Sequence, residues 1–292
     1  MFEEYTPDTL GRCKFAGKFD AGTSQWHELR ADALGGSDIA VVTGLSPWRS
    51  AYSLWAEKTG QVIPEALDSD PVMLGNLLEE PLLKMFAHKH PELEVFSTGT
   101  YVDGFMLANP DALAKHRYTG EWFVIEVKTS AKIMPEIPTH YRAQVMWYQH
   151  LLGIERAYLV GLAAGRWMEH TQDYDAFEAS AMEAAAKRFW HSVTEVARPE
   201  WDGSSSTYET VRREVLSVED SQVNLGDYGI ELVNAWANFD DAESRLNLVK
   251  SQVLSEMGAA KFGVVDLDEV PRHTVVSRQM GRNGVPFLRK VK

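Results

Sequence analysis

The sequence predicts an α/β fold: a central mixed sheet flanked by helices, followed by a long helix and a short β-hairpin. Three observations carry this reading. Apolar residues recur at helical spacing on both sides of a middle section, the middle section alternates apolar and polar residues as strands do, and the two textures then interleave up to about Ala197.

Residues from about Gln25 to Thr59 read as helical, interrupted by a turn at Gly44–Pro47, and Val72 to His88 reads as a second helical segment that Pro81 kinks or restarts. After Pro91 the stretches LEVFSTGTYV, GFMLANPDAL and EWFVIEVKTS are rich in β-branched and aromatic residues and are divided by Gly99, Gly104, Pro110 and Gly120, so they read as successive strands. A helix at Pro138–Leu152, strands in RAYLVGLAAG and near Trp167–Tyr174, and a helix at Asp175–Ala197 complete the domain. The segment RPEWDGSSSTY, with Pro, Gly and a serine run, reads as a linker. It divides a domain at residues 1–200 from an extension at 201–292, in which Leu225–Met257 has helical spacing and GRNG sits between two strand-like runs.

With 292 residues, 45% hydrophobic and 24% charged, the composition is that of a globular protein with one large core or two modest ones. No run reaches the roughly 18 apolar residues that span a bilayer, and MFEEYTPDTLGRCKF has no apolar signal core, so a cytoplasmic location is expected. Cys13 stands alone, which excludes an internal disulfide and a cysteine-ligated cluster or zinc site; any metal is held by oxygen or imidazole. A net charge of −13 argues against a non-specific nucleic-acid coat but leaves room for a local basic groove. The basic block is the chain end, where Arg272, Arg278, Arg282, Arg289, Lys290 and Lys292 follow Glu269 without another carboxylate. A solvated hairpin and a phosphate contact fit it equally well.

Two stretches carry chemistry. In EVK, Glu126 and Lys128 point to one face of a strand, and a turn at Gly120 lets the preceding strand bring Asp111 of NPD toward them. An exposed Glu–Lys pair is the plain reading. The apolar flanks Val124, Ile125 and Val127 imply burial, however, and support a second one, in which Asp111, Glu126 and the Val127 carbonyl partly enclose a hard cation such as Mg²⁺ while Lys128 orients or helps deprotonate its water. The other stretch is LRADALGGSDIA. It reads as a capped helix start, or as a phosphate seat formed by helix amides and Arg30. His88 and His90 read as a solvated helix end, and Trp48 as packing beneath its loop in preference to a wedge against a terminal base pair.

The order of GGSDIA, LSPW, GNLLEEP, NPD, EVK and HYRAQV resembles the YqaJ-like viral recombinase family, which includes phage lambda exonuclease, over about Gln25–Trp190. The resemblance implies a PD-(D/E)xK restriction-endonuclease-like core and a Mg²⁺-dependent exonuclease, with Mn²⁺ able to substitute, that degrades linear double-stranded DNA from the 5′ end. It implies Asp111 and Glu126 as metal ligands, Lys128 as the catalytic lysine, Arg30 and Ser37 at the 5′ phosphate, and room for that phosphate at Gly35–Gly36. Glu79 is implied as the acidic helix residue near the metal, with Glu80 as the fallback, and Tyr141 and Gln144 as phosphate-orienting residues. Asn109 and Ala112 depart from the family's usual Ser/Thr and Gly around the Pro-Asp; Asn109 can still donate to a phosphate. By the same resemblance the partners are linear double-stranded DNA and further copies in a trimeric ring; the segment after Trp201, which the resemblance covers poorly, is open to assembly, to embracing DNA or to binding a single-strand annealing protein. A non-catalytic DNA-end or protein-binding module of the same fold is the alternative, disfavoured by retention of all three of Asp111, Glu126 and Lys128. Another nuclease of this fold, of the kind that carries a cysteine-bound cluster, is disfavoured by the single cysteine.

Overall fold

The computed structural model describes residues 2–19, 22–64, 69–266 and 273–291 and divides into two compact units, residues 1–217 and 218–292. Three short strands open the first unit, β1 (Glu3–Glu4), β2 (Thr9–Leu10) and β3 (Cys13–Gly17), none long enough to leave a periodic signal in the sequence. The helical stretch after them is three helices, α1 (Ser24–Ala31), α2 (Gly36–Val42) and α3 (Ala51–Lys58). In α4 (Asp70–Lys89) the helix runs through Pro81 without restarting.

The strand-rich section resolves into β4 (Leu93–Ser97), β5 (Thr100–Asp103), β6 (Met106–Ala108), β7 (Ala112–His116) and β8 (Trp122–Ser130). Then come α5 (Thr139–Leu152), β9 (Arg156–Ala163), β10 (Arg166–Asp173) and α6 (Ala176–Thr194). The main sheet has the order β1-β4-β7-β8-β9-β10, with β1–β4 and β8–β9 parallel and the other pairs antiparallel. β2, β3, β5 and β6 form a second, antiparallel sheet.

β8 is central, and its alternation explains how the layers assemble. Phe123, Ile125 and Val127 join Leu82, Leu83 and Phe86 of α4 in one core, while Val124 joins Met146, Trp147 and Leu151 of α5 in the core on the other side. Fully buried side chains such as Leu113, Ile125 and Met146 each contribute on the order of 1.5–3 kcal/mol. Gly161 of β9 lies opposite Lys128 at φ +149°, and a Cβ there would stand 1.8 Å from the Lys128 carbonyl oxygen, so only glycine permits this strand to pair with the end of β8.

The serine run is not a linker. Ser204 caps α7 (Ser205–Glu214), and Ser206, Thr207 and Thr210 hydrogen-bond to Ser50, which caps α3, and to Ser53 within it, at 2.7–2.8 Å between hydroxyls, so this helix belongs to the first unit and the division falls at 217/218 instead of 200/201. Hydroxyl-to-hydroxyl packing has no hydrophobic period, and the sequence pattern therefore reads as loop. The second unit holds α8 (Asp227–Met257) and a three-stranded antiparallel sheet of β11 (Phe262–Val265), β12 (His273–Met280) and β13 (Pro286–Lys290), one strand more than a hairpin. Of the basic block, Arg272 and Lys292 lie outside the described residues. Among the described residues no helix is long and apolar enough to cross a membrane.

Candidate active site

The β7–β8 pairing brings Asp111, just before β7, to β8: its Oδ2 accepts the Val127 N–H at 2.6 Å. On the next residues of β8, Lys128 Nζ donates to Glu126 Oε1 at 2.6 Å. The two charges share a face, but on the buried side of the sheet, where Glu126 is only 2% exposed. Glu126 Oε1 also accepts from Gln144 Nε2 at 2.6 Å, whereas the buried Glu126 Oε2 has no hydrogen-bond partner.

Glu79 reaches the same place from α4, lining a cleft of about 280 Å³ with Gly75, Asn76, Asp111, Val127 and Lys128. Glu80 points away and pairs with Lys84 at 2.9 Å, which resolves the Glu-Glu ambiguity in favour of Glu79. Three carboxylates thus face a single ammonium. Burial, reinforced by Asp111, pushes Glu126 up to about 8 and Glu79 up to about 7; burial also raises Asp111, against the pull of Lys128 and the Val127 N–H. Burial disfavours the Lys128 charge, but Glu126 and Asp111 overcome it and hold the ammonium above its ordinary range, so Lys128 keeps its proton.

A surplus of buried carboxylate charge and an orphaned carboxylate oxygen are the features expected where a cation completes the site. Asp111, Glu126, Glu79 and the Val127 carbonyl supply hard oxygen donors that suit Mg²⁺. Among the described residues no group of three or more His, Cys, Asp or Glu side chains is arranged to hold a metal ion by itself.

Around this centre the sequence expectations divide. Arg30 and Ser37 do meet, Nη2 to Oγ at 3.0 Å, with the guanidinium 4.8 Å over the Trp26 ring. The amide cradle expected at the start of α2 is partly taken: Asp38 is buried and its carboxylate accepts the Gly35 N–H at 3.1 Å. Lys58, Arg49 and Arg30 surround that carboxylate at 3.3, 3.8 and 3.9 Å, and Arg49 also pairs with Glu57, which leaves one cation in excess among these five groups. The glycines make room for side chains more than for phosphate. A Cβ on Gly35 would stand 3.2 Å from Arg30 Nη1, and one on Gly36 would fall 2.7–2.8 Å from Tyr148 and Gln144.

Gln144 is buried, and its amide donates to Glu126 and to the Tyr148 hydroxyl at 3.2 Å, so it supports the carboxylate instead of reaching outward for a phosphate. Tyr141 offers its ring to Lys128 Nζ, 5.1 Å from the centroid. Asn109 Oδ1 accepts from the Thr100 hydroxyl at 2.7 Å. Trp48 does not pack beneath its loop: it is 67% exposed and stands edge-on to His140, which in turn abuts Tyr141. His90 is likewise not a solvated end, since its ring lies against Phe86 and Tyr158 and its nitrogens meet Glu92 and Glu169, each at 2.9 Å. Asp38, Lys58 and Tyr148 escaped sequence reasoning; the only signals are the Asp at a capping position and a Tyr one turn after Gln144.

Fold and site together define a mixed α/β protein with a carboxylate–lysine centre on its middle strand and a cluster of Arg30, Arg49 and Lys58 around the buried Asp38. Residues 25–155 match the YqaJ-like viral recombinase domain. Uncharacterized protein YqaJ of Bacillus subtilis (strain 168) is 26% identical over 286 residues, covering 88% of this chain and 85% of the relative. Protein D345L of African swine fever virus (strain Badajoz 1971 Vero-adapted) is 33% identical over 88 residues, 29% of this chain and 24% of the relative. Similar solved structures include an alkaline exonuclease from Laribacter hongkongensis, at TM-score 0.49 and 16% identity over 60% of this chain and 94% of that one. A phage related exonuclease from Haemophilus somnus 129PT gives TM-score 0.42 and 14% identity over 56% of this chain and 96% of that one.

Proposed function

We propose that the chain is a Mg²⁺-dependent nuclease that degrades linear double-stranded DNA from its 5′ end, leaving a 3′ single strand for phage-type recombination. The observation that carries the reading is the buried Glu126 Oε2 without a partner, next to Asp111 in a centre that holds more carboxylate than ammonium. The match of residues 25–155 to a viral recombinase domain supports the recombination setting.

In this reading Asp111, Glu126 and the Val127 carbonyl hold the ion, with Glu79 beside them. When bound, Mg²⁺ supplies Lewis-acid stabilisation of charge on the scissile phosphate, and Mn²⁺ substitutes. The protein residues do the rest. Lys128 faces the cleft beside Glu126, where it would stabilise charge on the attacked phosphate or orient the attacking water. Glu79, lining the same cleft, would help place the ion or the attacking water. Gln144 fixes one oxygen of Glu126 and leaves the other free. Arg30 and Ser37 offer the charge-assisted donors that a terminal phosphate accepts, and the exposed Trp48 ring offers a face on which a base can stack.

The test is digestion of matched linear and covalently closed circular duplex with and without Mg²⁺, beside the Asp111→Ala variant. Loss of the linear substrate alone, only with Mg²⁺ and only by the unmodified protein, is expected. Equal cutting of closed circles would replace the end-dependent reading with an endonuclease.

A further inference from the structure

The second unit contains a helix that its own fold leaves uncovered. α8 is 31 residues long, about 45 Å, and has no buried residue; β11 meets it where Gly263 lies against Met257, and Leu225 lies against Gly229 near its start. Part of its apolar surface repeats, while Ile230, Val233, Trp236 and Leu248 are exposed outside the repeat. Leu232, Phe239, Leu246 and Val253 recur every seventh residue, and each is preceded or followed at heptad offset by Tyr228, Ala235, Ala242 or Val249. Phe239 is 66% exposed and Leu246 52%, far more than a globular surface tolerates in one continuous stripe. A seven-residue repeat sustained over four heptads is the pattern of a helix that pairs with another helix, because it keeps one seam facing the partner along the whole length.

From this seam we infer that α8 pairs antiparallel with α8 of a second copy of this chain. Self-pairing is argued from size and from charge. With the two helices antiparallel about a point between Asp240 and Asp241, Phe239 meets Ala242 of the partner copy and Leu246 meets Ala235, so each large side chain faces a small one. Leu232 then meets Val249, and Val253 meets Tyr228. No carboxylate enters the seam, whereas sliding one heptad toward the C-terminus would bring Glu256 into it. A parallel, in-register pair would instead set Phe239 on Phe239 and alanine on alanine, alternating overfilled and underfilled layers.

Charge selects the same direction. Every charged side chain from Asp227 to Glu243 is acidic (Asp227, Glu231, Asp240, Asp241, Glu243), and the bases Arg245 and Lys250 lie in the second half. Parallel pairing lays the acidic halves side by side and places Arg245 of each helix against Lys250 of the other. Antiparallel pairing sets Arg245 beside Asn238 and Lys250 beside Gly229, and it opposes the helix dipoles. The contact concerns residues 218–292 alone.

Cysteine cross-linking of the full chain tests the pairing and its direction. The native Cys13 is fully buried, and burial pushes its thiol up to about 12, so it supplies little background. Ala235→Cys and Leu246→Cys are made singly, carried on differently tagged chains, and co-expressed. Under oxidation the mixed sample is expected to give the heterodimer as the main cross-linked species, and neither variant alone should form a dimer. A dimer from Ala235→Cys alone would overturn the antiparallel assignment in favour of a parallel one, and the absence of any dimer in the mixture would overturn the pairing. Sedimentation provides the independent arm: Phe239→Asp should halve the mass of the assembly. An unchanged mass would mean that α8 is covered by something other than a second α8.

Discussion

Gln144 Nε2 stands 2.6 Å from Glu126 Oε1, the oxygen that also receives Lys128. One helix side chain therefore decides which half of a buried carboxylate is occupied, and the orphaned Oε2 follows from it. Removing the amide releases Glu126 to rotate. Gln144→Leu keeps the volume and loses a hydrogen bond to a charged group, about 1.5–3 kcal/mol. If that loss falls on the transition state, kcat drops about 10- to 100-fold with KM little changed. Steady-state kinetics on linear duplex checks this; a change confined to KM would return Gln144 to a DNA-contacting role.

Gly36 makes the neighbouring packing visible to mutation. In a helix, Gly→Ala ordinarily gains about 1 kcal/mol. Here the new Cβ would lie 2.7 Å from the ring of buried Tyr148 and 2.8 Å from Gln144, and overpacking of that kind costs about 1–3 kcal/mol. Overpacking wins, because a buried ring cannot turn aside as a surface chain can. Gly36→Ala is expected to unfold at a lower temperature than the unmodified protein and to lose activity with it. A higher unfolding temperature would show that the α2–α5 contact is loose.

The carboxylate cluster predicts how the metal-free protein responds to pH. Burial raises Glu126 from an ordinary 4.5 to about 8 and Glu79 to about 7. The folded state then binds more protons than the unfolded state between about 4.5 and 8, so stability falls as pH rises through that window. In chelator, the unfolding temperature should decline from pH 5 to pH 8, and Glu126→Gln should flatten the decline. Mg²⁺ should restore stability at pH 8. A decline equally steep in Glu126→Gln would place the titrating groups elsewhere.

How much of this was legible depended on whether the residues involved had a period. β8 declared itself through Phe123, Val124, Ile125 and Val127, and Glu126 and Lys128 could be put on one face by alternation alone. Asp111 followed from the turn before β8. What cannot be read is which face is buried, since that depends on α4 and α5 covering the two sides, and so the sequence points Gln144 toward DNA although the fold turns it to Glu126. The short strands β1 to β3 escaped because two to five residues carry no repeat. α7 escaped because its contacts are hydroxyl to hydroxyl, and Asp38 because a capping carboxylate and an anchor for Lys58, Arg49 and Arg30 look the same in sequence.

Arg30→Ala tests the second pole of the site. Its guanidinium is braced by Ser37 and Trp26 and is one-quarter exposed, so it can turn two donors toward an incoming phosphate. Losing them should slow a 5′-phosphorylated duplex about tenfold or more and leave a 5′-hydroxyl duplex nearly unchanged, with Mg²⁺ affinity preserved. Equal slowing of both substrates would make Arg30 a structural residue held by Asp38.

The central claim is hydrolysis from the 5′ end by the Asp111–Glu126–Lys128 centre. Its most direct measurement follows linear duplex labelled at the 5′ terminus on one sample and at the 3′ terminus on another, digested with Mg²⁺ by the unmodified protein and by Lys128→Ala. Early release of the 5′ label as a mononucleotide is expected, with the 3′ label retained in a long single strand and neither label released by Lys128→Ala at saturating Mg²⁺. Early release of the 3′ label, or near-normal turnover by Lys128→Ala, would contradict the account.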